Sequence, residues 1–180
     1  MNLDNQIEFQ LTDYRHIKGK FDRIVSVGMF EHIGKKFYRI FFKKINDLLK
    51  DDGIVLLHTI GSIDKPQPTA PFIQKYIFPG GVVPSLSELV TPIEKSNFII
   101  SDTETLIRHY DKTLDNWLKR FSENKTIVKD MFDEKFVRMW EFYLASCAAA
   151  FRYRDLVVFQ LQLVKNFDSQ PSNRRDYIYS

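Results

Sequence analysis

Residues 21–58 read FDRIVSVGMFEHIGKKFYRIFFKKINDLLKDDGIVLLH, and the change of period along this stretch decides the fold. Phe21 to Val27 is a β-branched run closed by Gly28, the pattern of a buried strand. From Lys35 to Leu49 the apolar positions Phe37, Ile40, Phe41, Ile45, Leu48 and Leu49 fall at helical spacing, with lysines and Arg39 between them. Lys50-Asp51-Asp52-Gly53 reads as the turn that stops the helix, with Gly53 suited to a left-handed backbone. Ile54 to Leu57 is apolar throughout, too short for a helix and suited to a strand covered on both faces. Strand, helix and strand with short links form a βαβ unit, so the spacing predicts an α/β domain with a parallel sheet.

On the N-terminal side, Ile7 to Leu11 reads as a further short strand, closed by the polar turn Thr12-Asp13-Tyr14-Arg15. On the C-terminal side, residues 61–84 break the rhythm. Pro66, Pro68, Pro71, Pro79, Pro84 and Gly80-Gly81 make a long connection that carries Phe72, Tyr76 and Phe78. Long connections inside compact domains are typically lids or binding loops. Ser85 to Ser96 can form a helix that Pro92 limits or kinks, and Phe98 to Ile100 resumes a strand. Tyr110 to Phe121 and Asp133 to Arg154 read as amphipathic helices. The second carries the stripe Phe136, Trp140, Tyr143, Cys147 and Phe151. Leu156 to Val164 alternates as a strand. The polar tail from Asn166 reads as mobile. The expected organisation is one domain over 1–165, with a lid-like insertion at about 61–84, a helical segment at 109–154 and a tail at 166–180.

The 180 residues are 44% hydrophobic and 27% charged, a globular composition. Cys147 is the only cysteine, so no internal disulfide can form. The first residues lack the pattern of a secretory signal, and no run reaches the ~18 apolar residues of a membrane-spanning helix. A net charge of +3 is too small to argue for a nucleic-acid partner. The seven glycines, at 19, 28, 34, 53, 61, 80 and 81, cannot be assembled into a glycine-rich phosphate cradle.

In open α/β sheets ligands gather at the carboxyl ends of the strands. Glu31, His32, His58 and Asp13 fall there. A histidine ending an apolar strand is partly desolvated, and a nearby glutamate could orient it. The same residues could equally cap strand ends, and spacing does not separate the two readings. His16, His32, His58 and His109 show no metal-ligand spacing, so no metal site is expected. Cys147 on an apolar helical stripe reads as a buried, inert thiol. Aromatic residues make up 14% of the chain, which suits either a packed core or a pocket for an acyl chain or a carbocation.

Five segments together carry a resemblance: 21–34 (FDRIVSVGMFEHIG), 53–61 (GIVLLHTIG), 75–81 (KYIFPGG) leading to Pro84-Ser85, 109–114 (HYDKTL), and Phe142 through Cys147 to Asp155. In this order they resemble the cyclopropane-fatty-acyl-phospholipid synthases, and mycolic acid cyclopropane synthases share much of the signature. The resemblance implies a class I methyltransferase (Rossmann-like) sheet and S-adenosylmethionine as methyl donor. It also implies addition of a methylene across the cis double bond of a phospholipid acyl chain. It assigns bicarbonate, the base in this family, to Glu31, His58, Tyr110 and the backbone of Ile60, and adenine contact to Asp13. Cys147 matches a family cysteine named as an active-site residue, here read as lining the site.

Complete members also have an N-terminal lipid-binding region, a glycine-rich strand and loop, and a second strand with an acidic end. By this comparison the chain starts at about the third strand, so the expected sheet is incomplete and lacks the first strands and the glycine-rich loop. The chain is then the C-terminal part of a cyclopropane synthase, inactive alone. It would work with an N-terminal companion chain or as a homo-oligomer, in the cytoplasm at the inner membrane surface. The alternative is a non-catalytic fragment of a split or decayed gene that binds lipid or a partner chain.

Overall fold

The computed structural model describes residues 6–179. Strand β1 (Phe21–Val27) leads through two short 3-10 turns to helix α1 (Tyr38–Leu48), followed at once by strand β2 (Leu49–Ser62). Then come α2 (Pro71–Tyr76), α3 (Leu86–Glu94), β3 (Ile99–Leu106), α4 (His109–Glu123), α5 (Lys125–Met131), α6 (Glu134–Tyr153), β4 (Leu156–Val164) and α7 (Asp176–Tyr179). The four strands form one sheet in the order β1-β2-β4-β3.

The sheet is mixed, a correction to the parallel sheet expected from the βαβ pattern. β1 and β2 are parallel, whereas β4 is antiparallel to both β2 and β3. The reversal follows from the helices before it. Arg152 near the end of α6 bonds Asp111 near the start of α4, and Lys125 just beyond α4 bonds Glu141 in the first half of α6. The two helices therefore form an antiparallel hairpin that returns the chain to the end of the sheet where β3 finished, so the next strand must run back down.

Three local expectations also change. Residues 50–53 continue β2 and are not a turn, and Gly53 is not left-handed. A Cβ at Gly53 would lie 2.6 Å from Leu49 Cδ1, so glycine is required there for space. The extra residues are absorbed by a register irregularity, since Phe21 pairs with Leu49 but Arg23 with Ile54. Ile7 to Leu11 forms no strand, because nothing among the described residues pairs with it, and Phe9 is 93% exposed. β1 is a strand, but Val25 and Val27 are 62% and 63% exposed. With β2 as its only partner among the described residues it is an edge, not the buried strand its composition suggests.

Helices cover the sheet on both faces. On one, Phe41, Phe42 and Ile45 of α1 and Leu89 and Ile93 of α3 pack on Val55, Leu57, Phe159 and Leu161. On the other, Leu114, Leu144, Ala148 and Phe151 pack on Val158, with Ile60 at the margin. α3 starts at a capping box in which Ser85 and Glu88 satisfy each other's backbone amides, and it runs through Pro92 for two more residues. The C-terminal segment returns to the sheet: Asn166 and Ser169 donate to the Asp51 carbonyl, and Arg175 pairs with Asp102.

Gly61 is the tightest point between the layers. A Cβ there would meet the Phe159 ring at 2.3 Å and the Pro84 carbonyl oxygen at 3.0 Å. Gly61→Ala is therefore expected to lower unfolding free energy by about 1–3 kcal/mol, read from the denaturant midpoint. An unchanged midpoint would show that Phe159 can swing aside without cost.

Candidate active site

β2 outlasts β1. Their pairing ends at Val27 with His58, while β2 runs on to Ser62. Gly28, with φ +63°, donates its N–H to the His58 carbonyl at 3.2 Å and then turns the chain away. The next residues form the 3-10 turn Phe30–His32, anchored by the fully buried Phe30 against the rings of Tyr38, Phe41 and Phe42. Because strand polar groups alternate in direction, Ile60 faces the same side of β2 as His58, where β1 has already ended. Glu31 fills that gap: its Oε1 accepts the Ile60 N–H at 2.7 Å. Its Oε2 is buried without a hydrogen-bond partner.

The helical hairpin supplies the facing wall. Tyr110 comes from the first turn of α4, and Tyr143 and Cys147 lie one turn apart on α6. All three pack with Ile60 around the Leu114–Leu144–Phe151 cluster. Burial raises the Tyr110 phenol above its ordinary value, and the charge of Glu31 adds to the shift, so phenol and carboxylate share one electrostatic environment. Burial also pushes Tyr143 up to about 12, with Cys147 and Tyr110 contributing. His58 projects from the same face of β2 as Ile60, about 7 Å upstream along the strand. No ring hydrogen bond to His58 occurs among the described residues.

Thus Glu31, Ile60, Tyr110 and Cys147 are brought together, with His58 beside them. The Ile60 amide, which the resemblance assigns to bicarbonate, is here engaged by Glu31. Asp13 stands apart. It caps the 3-10 turn Tyr14–His16 and is held by Arg15, whose hydrogen bonds keep its carboxyl well below the usual carboxylate range. No contact joins it to the Glu31 group. Among the described residues no cluster of His, Cys, Asp and Glu is suited to a metal ion.

Tyr143 and the 61–84 connection complete the site, although the sequence reading did not place Tyr143 there. Its signal was helical spacing, one turn before Cys147 on the aromatic stripe. The connection is tied down by Val82 N–H, which donates to the Glu31 carbonyl at 2.8 Å. Phe78 contacts both His32 and Tyr143, and Phe72 packs edge-on to Phe142 at 4.8 Å.

Burial pushes the Cys147 thiol up to about 11, so it is protonated near neutrality and unsuited to nucleophilic attack. Its reaction with a disulfide reagent at mildly alkaline pH is expected to be about a hundredfold slower in the folded chain than in denaturant, reflecting the smaller thiolate fraction. Equal rates would show an accessible, reactive thiolate.

The chain can now be compared with known proteins. A family model described as mycolic acid cyclopropane synthetase matches residues 1–161. The cyclopropane-fatty-acyl-phospholipid synthase of Escherichia coli K12 is 44% identical over 151 residues, which is 84% of this chain and 39% of that protein. The cyclopropane synthase MmaA2 from Mycobacterium tuberculosis superposes with a TM-score of 0.80 at 28% identity, over 89% of this chain and 63% of that one. The mycolic acid cyclopropane synthase CmaA1, complexed with SAH and CTAB, gives 0.78 at 32% identity, over 86% and 59%. The chain spans about two-fifths of the length of the E. coli relative. Its sheet and helices have the α/β methyltransferase fold, and the chain belongs to the mycolic acid cyclopropane synthetase family of S-adenosylmethionine-dependent methyltransferases.

Proposed function

We propose that this chain forms the part of a cyclopropane-fatty-acyl-phospholipid synthase that holds the base and lines the acyl chain, with bicarbonate bound among Glu31, His58 and Tyr110. The observation that carries this reading is the buried Glu31 carboxylate, with one oxygen fixed by Ile60 and the other unpartnered. A buried acceptor without a donor is costly, and the hydroxyl of bicarbonate is a donor that would relieve it, with the Tyr110 and His58 donors offsetting the repulsion between the two anions.

When bound, S-adenosylmethionine supplies the methyl group to an alkene carbon, and bicarbonate supplies the base for the proton lost as the ring closes. The residues of this chain arrange that chemistry. Glu31 Oε2 would accept a hydrogen bond from the bicarbonate hydroxyl, which keeps its proton. The neutral Tyr110 phenol would donate to a bicarbonate oxygen, and the half-buried His58 ring offers a second donor. The rings of Tyr143 and Phe78 face each other edge to face beside this point and present π-density to a cationic carbon. Cys147 remains a neutral lining group.

The cofactor itself finds only a partial cradle here. Asp13 is an exposed acceptor suited to an adenine amine, but the glycines form no phosphate-type loop. We assign the remaining grip to polypeptide outside these 180 residues, whether companion chain or longer protein, docked along the free edge of β1. That edge borders an apolar cavity of about 400 Å³ lined by Tyr14, Ile24, Val25, Val27 and Met29. The complete enzyme then works at a phospholipid surface. No helix among the described residues is long and apolar enough to cross a membrane.

The test joins this chain to the N-terminal region of the E. coli relative and follows label from S-adenosylmethionine into unsaturated phospholipid vesicles. Turnover that falls when bicarbonate is depleted, and at least about a hundredfold in Glu31→Gln, is expected. A folded chimera whose turnover ignores both changes would overturn the assignment. The 180-residue chain alone is expected to give no binding heat with S-adenosylmethionine; tight binding would refute the division of the cofactor site.

A further inference from the structure

A second cavity, about 440 Å³, lies between the start of α1 and α3, on the opposite face of the sheet from the Tyr110 and Tyr143 wall. Its walls carry Lys35, Lys36, Arg39 and Lys95 against a single carboxylate, Glu88. Glu88 is already committed. One oxygen pairs with Lys35 at 2.5 Å and the other accepts the Ser85 amide in the capping box. Lys36, Arg39 and Lys95 therefore have no acidic partner among the described residues. Lys36 rests over the Phe37 ring instead.

This placement of charge runs against helix electrostatics. α1 begins without a side-chain cap and without an acidic residue in its first turn, yet Lys35, Lys36 and Arg39 cluster at its positive end. α3, which shares the cavity, is capped and carries Glu88. The Tyr38 amide is met by the Lys35 carbonyl in the preceding 3-10 turn, but cations clustered at the positive end of a helix are unfavourable unless an anion sits among them.

An independent observation points the same way. Tyr38, which lines the cavity, is only 3% exposed, and its hydroxyl is buried without a hydrogen-bond partner. Burial raises its phenol, with the carboxylates of Glu88 and then Glu31 adding to the effect. The hydroxyl is thus a buried donor in the cavity wall with nothing to donate to. Thr91 adds a second hydroxyl to the wall.

We propose that this cavity is a phosphate-binding site, with Lys36, Arg39 and Lys95 neutralising the anion and Tyr38 donating to it. A phosphate would meet the orphaned phenol and the three unpaired cations together. The phosphodiester of an anionic lipid headgroup is the source that best fits the surroundings. Phe37 and Ile40 expose large apolar surface among the cations, and Leu86 does so at the mouth of α3. Basic residues interleaved with exposed apolar ones suit the interface of an anionic bilayer. The site stands on its own geometry, and it rests on the phospholipid reading only for that choice of source.

The test measures binding of the 180-residue chain to three probes: vesicles of equimolar phosphatidylglycerol and phosphatidylcholine, vesicles of phosphatidylcholine alone, and glycerol 3-phosphate in solution. Lys36→Glu/Arg39→Glu removes charge from the cavity. Lys119→Glu/Arg120→Glu, on the exposed side of α4, removes equal charge elsewhere. Tyr38→Phe deletes only the hydroxyl, and circular dichroism checks that each variant is folded. The expected result is binding to the anionic vesicles that falls about tenfold or more in the cavity double variant and severalfold in Tyr38→Phe, but little in the α4 control. Binding of glycerol 3-phosphate with the same variant pattern, but no vesicle binding, would uphold the site and assign it a free phosphate ester. Equal losses in the cavity and α4 variants would overturn the proposal, leaving general surface charge. So would an absence of binding to every probe. None of these readouts involves Glu31 or turnover, so failure here leaves the bicarbonate reading standing, and the reverse also holds.

Discussion

The site depends on a mismatch of strand lengths. β1 stops pairing at His58, while β2 continues for four more residues, where Ser62 pairs with the Pro84–Ser85 segment and Ile60 is left without a strand beside it. A sheet edge inside a protein must satisfy its amides, and here a side chain stands in for the missing strand. Glu31 can reach Ile60 because Gly28 takes a positive φ that few other residues tolerate, and because Phe30 buries completely and fixes the turn. A carboxylate has more acceptor capacity than one amide can use. Satisfying the edge therefore leaves a second oxygen oriented and dry, which is the state a site for a protic anion needs. The Val82 amide on the Glu31 carbonyl carries the same constraint into the 61–84 connection.

The facing wall is set by one ion pair. Arg152 donates twice to Asp111, at 2.9 and 2.7 Å, and also to Asp115. The bidentate contact holds the start of α4 to the end of α6, and Asp111 directly follows Tyr110. Its carboxyl is lowered chiefly by the Arg152 hydrogen bonds, against the opposing effect of burial. A lowered carboxyl stabilises the fold at pH values above its unfolded range, and that contribution is lost as pH falls through the folded value. Near neutrality the clamp is fully charged. It fixes the height of Tyr110 over β2 in the same contact that makes β4 run antiparallel.

Much of this was legible in the residues. α6 and β4 match their periodicities closely, because each has a long run with one dominant period. The strand-end rule puts Glu31 and His58 near the carboxyl ends of β1 and β2, where the structure has them. What escaped were properties that belong to pairs of distant segments. The direction of β4 depends on the parity of passes through α4 and α6, not on the composition of residues 156–164. Gly53 looked like a turn glycine because local sequence cannot show that Leu49 folds back over it. Val25 and Val27 looked buried because β-branched composition reports that a strand exists, not how many neighbours it has. α5 was missed because its seven residues have no sustained apolar stripe. The Glu31–Ile60 bond joins residues 29 apart, and only the β1–β2 register reveals it.

The distribution of unmet polar groups draws these strands together. Among the described residues, three buried side-chain atoms lack hydrogen-bond partners: Ser26 Oγ, Glu31 Oε2 and Tyr38 Oη. Each such group costs roughly 1–3 kcal/mol if nothing meets it. In a fold with randomly placed imperfections they would scatter over both helical layers. Instead all three lie between residues 26 and 38, where the chain leaves β1 and enters α1. Ser26 borders the apolar cavity along β1 and Tyr38 the cationic groove, while Glu31 acts on Tyr110 of the facing wall. A segment that concentrates unsatisfied donors and acceptors is shaped for groups that arrive from outside it. The apolar cavity along β1, the Glu31 carboxylate and the basic groove are then separate places where this one segment can meet such groups.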